Sequence, residues 1–258
     1  MIVASLCTIP NRLDSLIQVL VSLLNQTRKP DLVLISISEF YPRSGKYYPK
    51  RDREKLTVFL ENYPLPSQLM MSELDIGPCK KLLTPLSHPI LKSSDFIVTI
   101  DDDSPLRPDA IEKLLKSHLK NPGGVYSVMG VREGSYIHAE YIPDNFDYFV
   151  IDIVGGYRGV LYPAHLVDYD SFFNFVSPLM EAHKEQNLLL MHDDHVISYY
   201  FKQKYVERRV AGGMKSETSA INYITIPNEN GIVTDPRSVE SMSIIKSFLD
   251  SALISRSY

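Results

Sequence analysis

The succession MIVASLCTI, RLDSLIQVLVSLLNQ, DLVLISIS constrains the fold more than any other feature of the chain. The first and third segments are near-continuous apolar runs, the pattern of strands covered on both faces. Between them Leu13, Leu16, Ile17, Leu20, Leu23 and Leu24 recur at helical spacing and give one apolar face. Strand, helix, strand is a βαβ unit, and its crossover is right-handed. A chain with such a unit builds a sheet with helices packed on its faces.

The alternation continues downstream. QLMMSEL predicts a short strand, Pro78 to Leu91 a helix, DFIVTI a strand, and GGVYSVMGV another. A helix is expected to open at Pro108, since proline suits a first helical position. YPRSGKYYPKRDREK reads as a long loop that enters a helix through LTVFLENY. It is either a solvated surface loop or one that closes over an anionic ligand through Arg43, Lys46 and Arg51. From Gly134 the pattern changes: aromatic and polar residues mix, GGYRGVLYP bends the chain, and helices resume around Ser171–Ala182 and His192–Lys204. Beyond Pro236, Ile244, Ile245, Phe248, Leu249 and Leu253 predict a closing helix. The expectation for 258 residues is a single α/β domain with a mostly parallel central sheet flanked by helices. Residues 1–130 would form one half, 131–235 a wall over its sheet edge, and 236–258 the last helix.

Composition narrows the setting. Apolar residues at 44% and charged residues at 22% fit an ordinary globular core. A net charge of −4 gives no reason to expect a nucleic acid, whose backbone is bound by excess positive charge. Cys7 and Cys79 are too few for a disulfide framework, and Cys7 reads as a small core residue. No apolar run reaches the length of a transmembrane segment, and the first residues lack a signal-peptide pattern. The expectation is a cytoplasmic protein.

The chemistry centres on FIVTIDDDSPLRPDAIEKLL. Asp101, Asp102 and Asp103 follow an apolar strand directly. Two unit charges ~4 Å apart repel by roughly 4 kcal/mol at the effective dielectric of a protein surface. Solvent, a bound cation or a shifted proton would offset that. In open α/β sheets ligands bind beyond the carboxyl ends of strands, where this triplet lies. Hard oxygen ligands on a tight bend suit Mg²⁺ or Mn²⁺, and a solvated turn is the plain alternative. A second acidic pair, Asp193 and Asp194, opens the helix in MHDDHVISYYFKQKY. It is either a helix start favoured by the dipole or a general base. His192 and His195 flank that pair.

These segments together resemble a family. TIPNRLDSLIQVLVSLLNQTRKPDLVLISIS resembles the opening nucleotide-binding unit of GT-A fold glycosyltransferases, of a family 2-like kind. GPCKKLLTPL is similar to their G-P-x-x-K-L-L segment, IVTIDDDSPLRPDAIEKLL to their D-x-D strand and helix, GGYRGVLYP to their acceptor loop, and HDDHVIS to their catalytic helix. The five occur in the family's order over roughly residues 2 to 205.

The resemblance implies a metal-dependent inverting glycosyltransferase of the hexosyltransferase type. Its donor would be a nucleotide sugar, expected to be UDP-linked, and its acceptor a hydroxyl on a glycan or other molecule. Residues 1–130 would then be the nucleotide-sugar half and 131–235 the acceptor half. Thr8, Pro10 and Arg12 would border the nucleotide. Asp101 would lie near the ribose, and Asp103, with Asp101, would hold Mn²⁺ or Mg²⁺ against the diphosphate, with Asp102 beside it in the nucleotide-sugar site. Lys81 would approach the nucleotide or diphosphate, with Lys80 as its neighbour. Gly155, Gly156, Tyr157 and Arg158 would meet the acceptor. Asp194, or else Asp193, would deprotonate the acceptor hydroxyl. The chain departs from the pattern in having no tryptophan, so Tyr157 stands where relatives often carry one, and no histidine after His195. Two rival readings are a haloacid-dehalogenase-type phosphatase and a sugar-nucleotide or glycan-binding protein without turnover. Pro105, where the phosphatase motif usually continues with Thr or Val, and the preceding βαβ unit speak against the first.

Overall fold

The computed structural model describes residues 1–143, 145–182 and 191–214. The helix expected over 236–258 lies outside the described residues. In chain order the structure runs β1 (Ile2–Cys7), α1 (Leu13–Leu24), β2 (Leu32–Ser38), the short hairpin β3 (Phe40–Tyr41) and β4 (Lys46–Tyr47), α2 (Lys50–Glu61) and β5 (Ser67–Ser72). There follow α3 (Lys80–Ser87), β6 (Phe96–Asp101), α4 (Ala110–Lys120), β7 (Gly124–Arg132), β8 (Ser135–His138), β9 (Tyr148–Ile151) and β10 (Ile153–Pro163). The last described elements are α5 (Tyr169–Ala182), α6 (Asp193–Gln203) and β11 (Glu207–Ala211).

Among the described residues, β5-β2-β1-β6-β10-β7-β11-β9 form one sheet, with β8 paired to β7. The first four strands are mutually parallel, each step carrying a helical crossover. Beyond β6 the sheet is mixed: β10 runs antiparallel to both β6 and β7, while β11 returns parallel to β7. The parallel sheet expected from the first half therefore holds through four strands. Short connections such as the β7–β8 turn then impose antiparallel pairing.

Helix α1 buries Leu13, Leu16, Val19, Leu20 and Leu23, while Ile17 and Leu24 are half-buried against the same core. β1 lies between β2 and β6, and its residues from Ile2 to Leu6 are buried. Helix α3 packs on β1, β2 and β6, α4 on β7 and β10, and α6 on β10 and β11.

Several boundaries differ from the sequence reading. The helix expected from Pro78 to Leu91 starts as a 3₁₀ turn at Gly77–Cys79 and stops at Ser87. His88 precedes Pro89, and a residue before proline is pushed out of the α region. The helix expected at Pro108 opens at Ala110 after Asp109. GGYRGVLYP is not a separate bend but the body of β10, where the register slips between Gly155 and Val160. Gly159 there has φ +100°, a conformation open to glycine and strained for any residue with a side chain. Cys7, the last residue of β1 and opposite Asp101 at the sheet's carboxyl edge, is half-buried, and burial pushes its thiol up.

Candidate active site

The parallel strands β1, β2 and β6 end side by side, so the segments leaving their carboxyl ends converge. After β1 the chain turns over Ile9–Arg12, with Asn11 in the left-handed region at φ 72°. Asparagine tolerates that conformation better than most residues. The turn directs two side chains onto the aspartate triplet. Thr8 Oγ1 donates to Asp102 Oδ2 at 2.5 Å, and Arg12 Nη1 donates to Asp102 Oδ1 at 2.7 Å. The same Arg12 nitrogen lies 3.2 Å from Asp103 Oδ2. Asp102 is 4% exposed; burial raises its carboxyl, and Arg12 and Thr8 draw it back down. Pro10 sits within the turn itself.

A second knot forms around Lys81. Its Nζ lies 2.6 Å from Asp101 Oδ1 and 2.7 Å from Asp193 Oδ2. It thereby links the tip of β6 to the first turn of α6. Lys81 is 1% exposed and Asp193 7%. Burial opposes the ammonium, but Asp101 and Asp193 raise its pKa well above the ordinary lysine value.

Next to Asp193, the Asp194 carboxylate accepts the Gly156 backbone N–H at 3.0 Å on both oxygens. Burial, and then Asp193, raise the Asp194 carboxyl to about 8. Gly156 is required by space: a Cβ there would stand 2.6 Å from Asp194 Oδ1 and 2.9 Å from Lys81 Nζ. Among the residues proposed from sequence, Lys81, Asp101, Gly156, Asp193 and Asp194 thus come together in one place. Thr8, Arg12, Asp102 and Asp103 come together beside it.

The remaining positions are spread more widely. Gly155 pairs with Met129 in the sheet, and a Cβ there would stand 2.8 Å from the Met129 side chain. Its smallness therefore has a packing reason. Arg158 ion-pairs with Glu140 at 3.1 Å and lies over the Tyr157 ring at 5.0 Å. It also borders a small, shallow hollow with Pro105, Leu106 and Val128, just beyond the triplet. His192 is buried, with its ring edge-on to His195 at 6.1 Å. Lys46 and Arg51 are exposed on the hairpin and the start of α2, and Arg43 is half-buried.

Sequence reasoning missed a polar network on the other side of α3. Lys80 Nζ donates to Ser38 Oγ at 2.5 Å and to Asp75 Oδ1 at 2.8 Å, over the Tyr41 ring at 4.8 Å. The Tyr41 hydroxyl accepts the Ser38 N–H and donates to the Thr8 carbonyl, both at 2.8 Å. A signal was present: successive helical residues point about 100° apart, so two adjacent lysines opening a helix address different partners. Glu140 carried no signal that pointed to Arg158.

Among the described residues no group of three or more His, Cys, Asp or Glu side chains gathers as a metal cage. A cation held here would rest on one or two carboxylates and fill its shell from water and substrate, as Mg²⁺ commonly does. Among the same residues no helix is long and apolar enough to cross a membrane.

No family model and no curated protein matches the chain. Solved structures do. The chain is similar to S. aureus TarS 1-349 in complex with UDP, with a TM-score of 0.50 and 12% identity over 83% of this chain and 58% of that one. Two further TarS structures align at 12% identity over 83% of this chain, one of S. aureus TarS at a TM-score of 0.49 and one of TarS 1-349 at 0.45. The chain spans 58%, 36% and 59% of those three chains, in that order. Identity this low establishes a shared fold and nothing finer: an α/β architecture of the GT-A type, its central sheet flanked by helices.

Proposed function

We propose that this chain moves a sugar from a nucleoside-diphosphate donor, UDP-linked, to a hydroxyl on a glycan or other acceptor. The reaction is a single in-line displacement that inverts the anomeric centre, as in a hexosyltransferase of the family 2 kind. One observation carries the reading: at the carboxyl edge of a GT-A-type sheet, Asp101 at the tip of β6 meets Asp193 at the start of α6 through the Lys81 ammonium, and Asp194 beside it is held by the Gly156 N–H. A protein of similar fold is solved in complex with UDP, which supports the choice of nucleotide. Both cysteines are free, in keeping with a cytoplasmic setting.

On this reading Thr8, Pro10, Arg12, Asp101 and Asp102 border the nucleotide, and Gly155, Gly156, Tyr157 and Arg158 border the acceptor. Asp194 is the general base. A base works best with a pKa near the operating pH, and burial beside Asp193 raises its carboxyl to about 8. The Gly156 N–H orients that carboxylate without protonating it.

The residues at the strand tip fit a divalent cation, Mn²⁺ or Mg²⁺. Burial, and then the neighbouring Asp101, raise the Asp103 carboxyl, while Arg12 3.2 Å away draws it back down. Asp103 and Asp101 would hold the cation, which when bound supplies charge neutralisation for the departing diphosphate.

The test is a panel of sugar nucleotides, read by thermal shift with and without Mn²⁺ and by release of nucleoside diphosphate. A donor at 100 times its Kd stabilises the folded chain by about 2.7 kcal/mol. Asp103→Ala is expected to abolish the Mn²⁺-dependent shift. Asp194→Asn is expected to keep donor binding and lose about 10²–10⁴ in turnover. The proposal fails if no sugar nucleotide shifts the melting temperature, or if Asp194→Asn turns over at the wild-type rate.

A further inference from the structure

We propose that Lys81 is a positioning residue: a buried cation that ties Asp101 on the donor side to Asp193 on the base-bearing helix, and so sets Asp194 in its working place. The inference rests on the functional reading above and gives a role to a side chain that acts through Asp193 rather than on the substrate.

The geometry begins with the two lysines that open α3. Lys80 turns toward the end of β2 and the segment after β5, where Ser38 and Asp75 accept its hydrogen bonds. Lys81, about 100° further round the helix, turns toward β6 and α6. Its contacts at 2.6 and 2.7 Å join three elements whose residues are 81, 101 and 193 along the chain. No other side chain carries positive charge to Asp101 or Asp193 among the ion pairs of the described residues, whereas Arg12 serves Asp102 and Asp103.

The ammonium is also closed in from above. The β10 backbone passes over it at Gly156, where even a methyl group would stand 2.9 Å from Nζ. That same glycine donates its N–H to Asp194. Asp194 is therefore fixed from two sides, by the Gly156 amide and by its own helix start, which Lys81 anchors through Asp193. Without the ammonium, two carboxylates held together by one cation would repel each other, and the first turn of α6 would shift relative to β10. A displacement of about 1 Å at a reacting group can cost about 10²-fold in rate.

A lysine that instead bound the donor's diphosphate would leave a different signature. Its loss would weaken nucleotide affinity, whatever stood at residue 193. A positioning lysine shows its loss in kcat, and only while Asp193 is there to be positioned.

The experiment is a double-mutant cycle on the full chain: wild type, Lys81→Met, Asp193→Asn, and both together. UDP affinity in Mn²⁺ is measured by calorimetry. Turnover is measured as UDP released at saturating UDP-glucose, UDP-galactose or UDP-N-acetylglucosamine, with water as the acceptor. Each single variant is expected to lose about 10²-fold in kcat, and the double variant no more than about threefold beyond the worse single. UDP affinity is expected to stay within about threefold throughout. Should Lys81→Met fail to fold, the double variant, which keeps the same net charge at the bridge, is compared with Asp193→Asn: equal kcat supports the bridge. Losses that multiply in the double variant, or a tenfold or greater loss of UDP affinity from Lys81→Met at unchanged kcat, overturn it. A wild-type chain that neither binds UDP nor releases it from any of the three donors overturns the functional reading, and the bridge's purpose with it.

Discussion

Replacing Gly156 with alanine places a methyl group where two charged atoms already stand. The new Cβ would lie 2.6 Å from Asp194 Oδ1 and 2.9 Å from Lys81 Nζ. Ordinary contact begins at 3.4 Å, so the carboxylate must withdraw by roughly 0.8 Å, close to the displacement that costs about 10²-fold in rate. Neither group yields freely, because Lys81 is held by Asp101 and Asp193 and Asp194 belongs to a helix start. Overpacking of this kind costs about 1–3 kcal/mol in stability. For a chain of this size each kcal/mol lowers Tm by about 2–4 °C. Gly156→Ala is thus expected to fold, melt a few degrees lower, and lose about 10²-fold in kcat while UDP affinity changes by less than about threefold. Calorimetric titration with UDP, a melting curve and an assay of UDP release suffice. A variant with wild-type kcat and Tm would show that Asp194 and Lys81 do not stand where the structure puts them.

The same contacts and the core beneath them lead to two further outcomes. Asp194 is raised to about 8 in the folded chain, against about 3.9 for an unperturbed aspartate, so between those values the folded state binds more protons than the unfolded one and stability falls as pH rises. Asp194→Asn removes that fall, so melting curves of the two proteins should nearly coincide near pH 4 and separate in favour of the variant toward pH 8; a gap independent of pH would contradict the shift. Leu16, fully buried on α1 in the main core, should cost about 2–5 kcal/mol when cut to alanine, read by urea unfolding with m unchanged and UDP affinity unaltered; a loss under about 1 kcal/mol would mean that α1 does not pack as described.

How much of this was legible in sequence depended on whether the signal was local. The βαβ unit announced itself because β1 and β2 are buried on both faces and read as unbroken apolar runs, while α1 repeats its leucines on one side. The helix start at Asp193 was equally plain. β10 was not: its three glycines look like a turn, and only the strands on both sides, β6 and β7, hold it extended through the register slip. The hairpin β3–β4 has strands of two residues each, too short to show alternation. The aspartate triplet shows in sequence that its repulsion needs an offset, for which sequence alone offers solvent, a metal or a shifted proton. The structure supplies Arg12 and Lys81, partners that no periodicity connects to Asp101–Asp103 because they meet only after folding. Lys81 was picked out by its motif, but its link to Asp193 rests on contacts 112 residues apart that sequence spacing cannot express.

The charges also bear on what can enter. Around the cleft, Asp101, Asp102, Asp103, Asp193 and Asp194 share Arg12 and Lys81 as their cations, while Lys80 is engaged by Asp75 and Arg158 by Glu140. Even with Asp194 holding a proton, the balance at the strand tip stays negative. A diphosphate approaching that tip alone would meet repulsion of the order that the triplet itself would suffer without its partners, roughly 4 kcal/mol per close pair. The two internal cations are enough to let the carboxylates fold together but leave little positive charge for a phosphate. Those demands separate the roles: Arg12 and Lys81 hold the carboxylates together, and on the proposed reading the donor's charge would be met by a divalent cation held by Asp103 and Asp101.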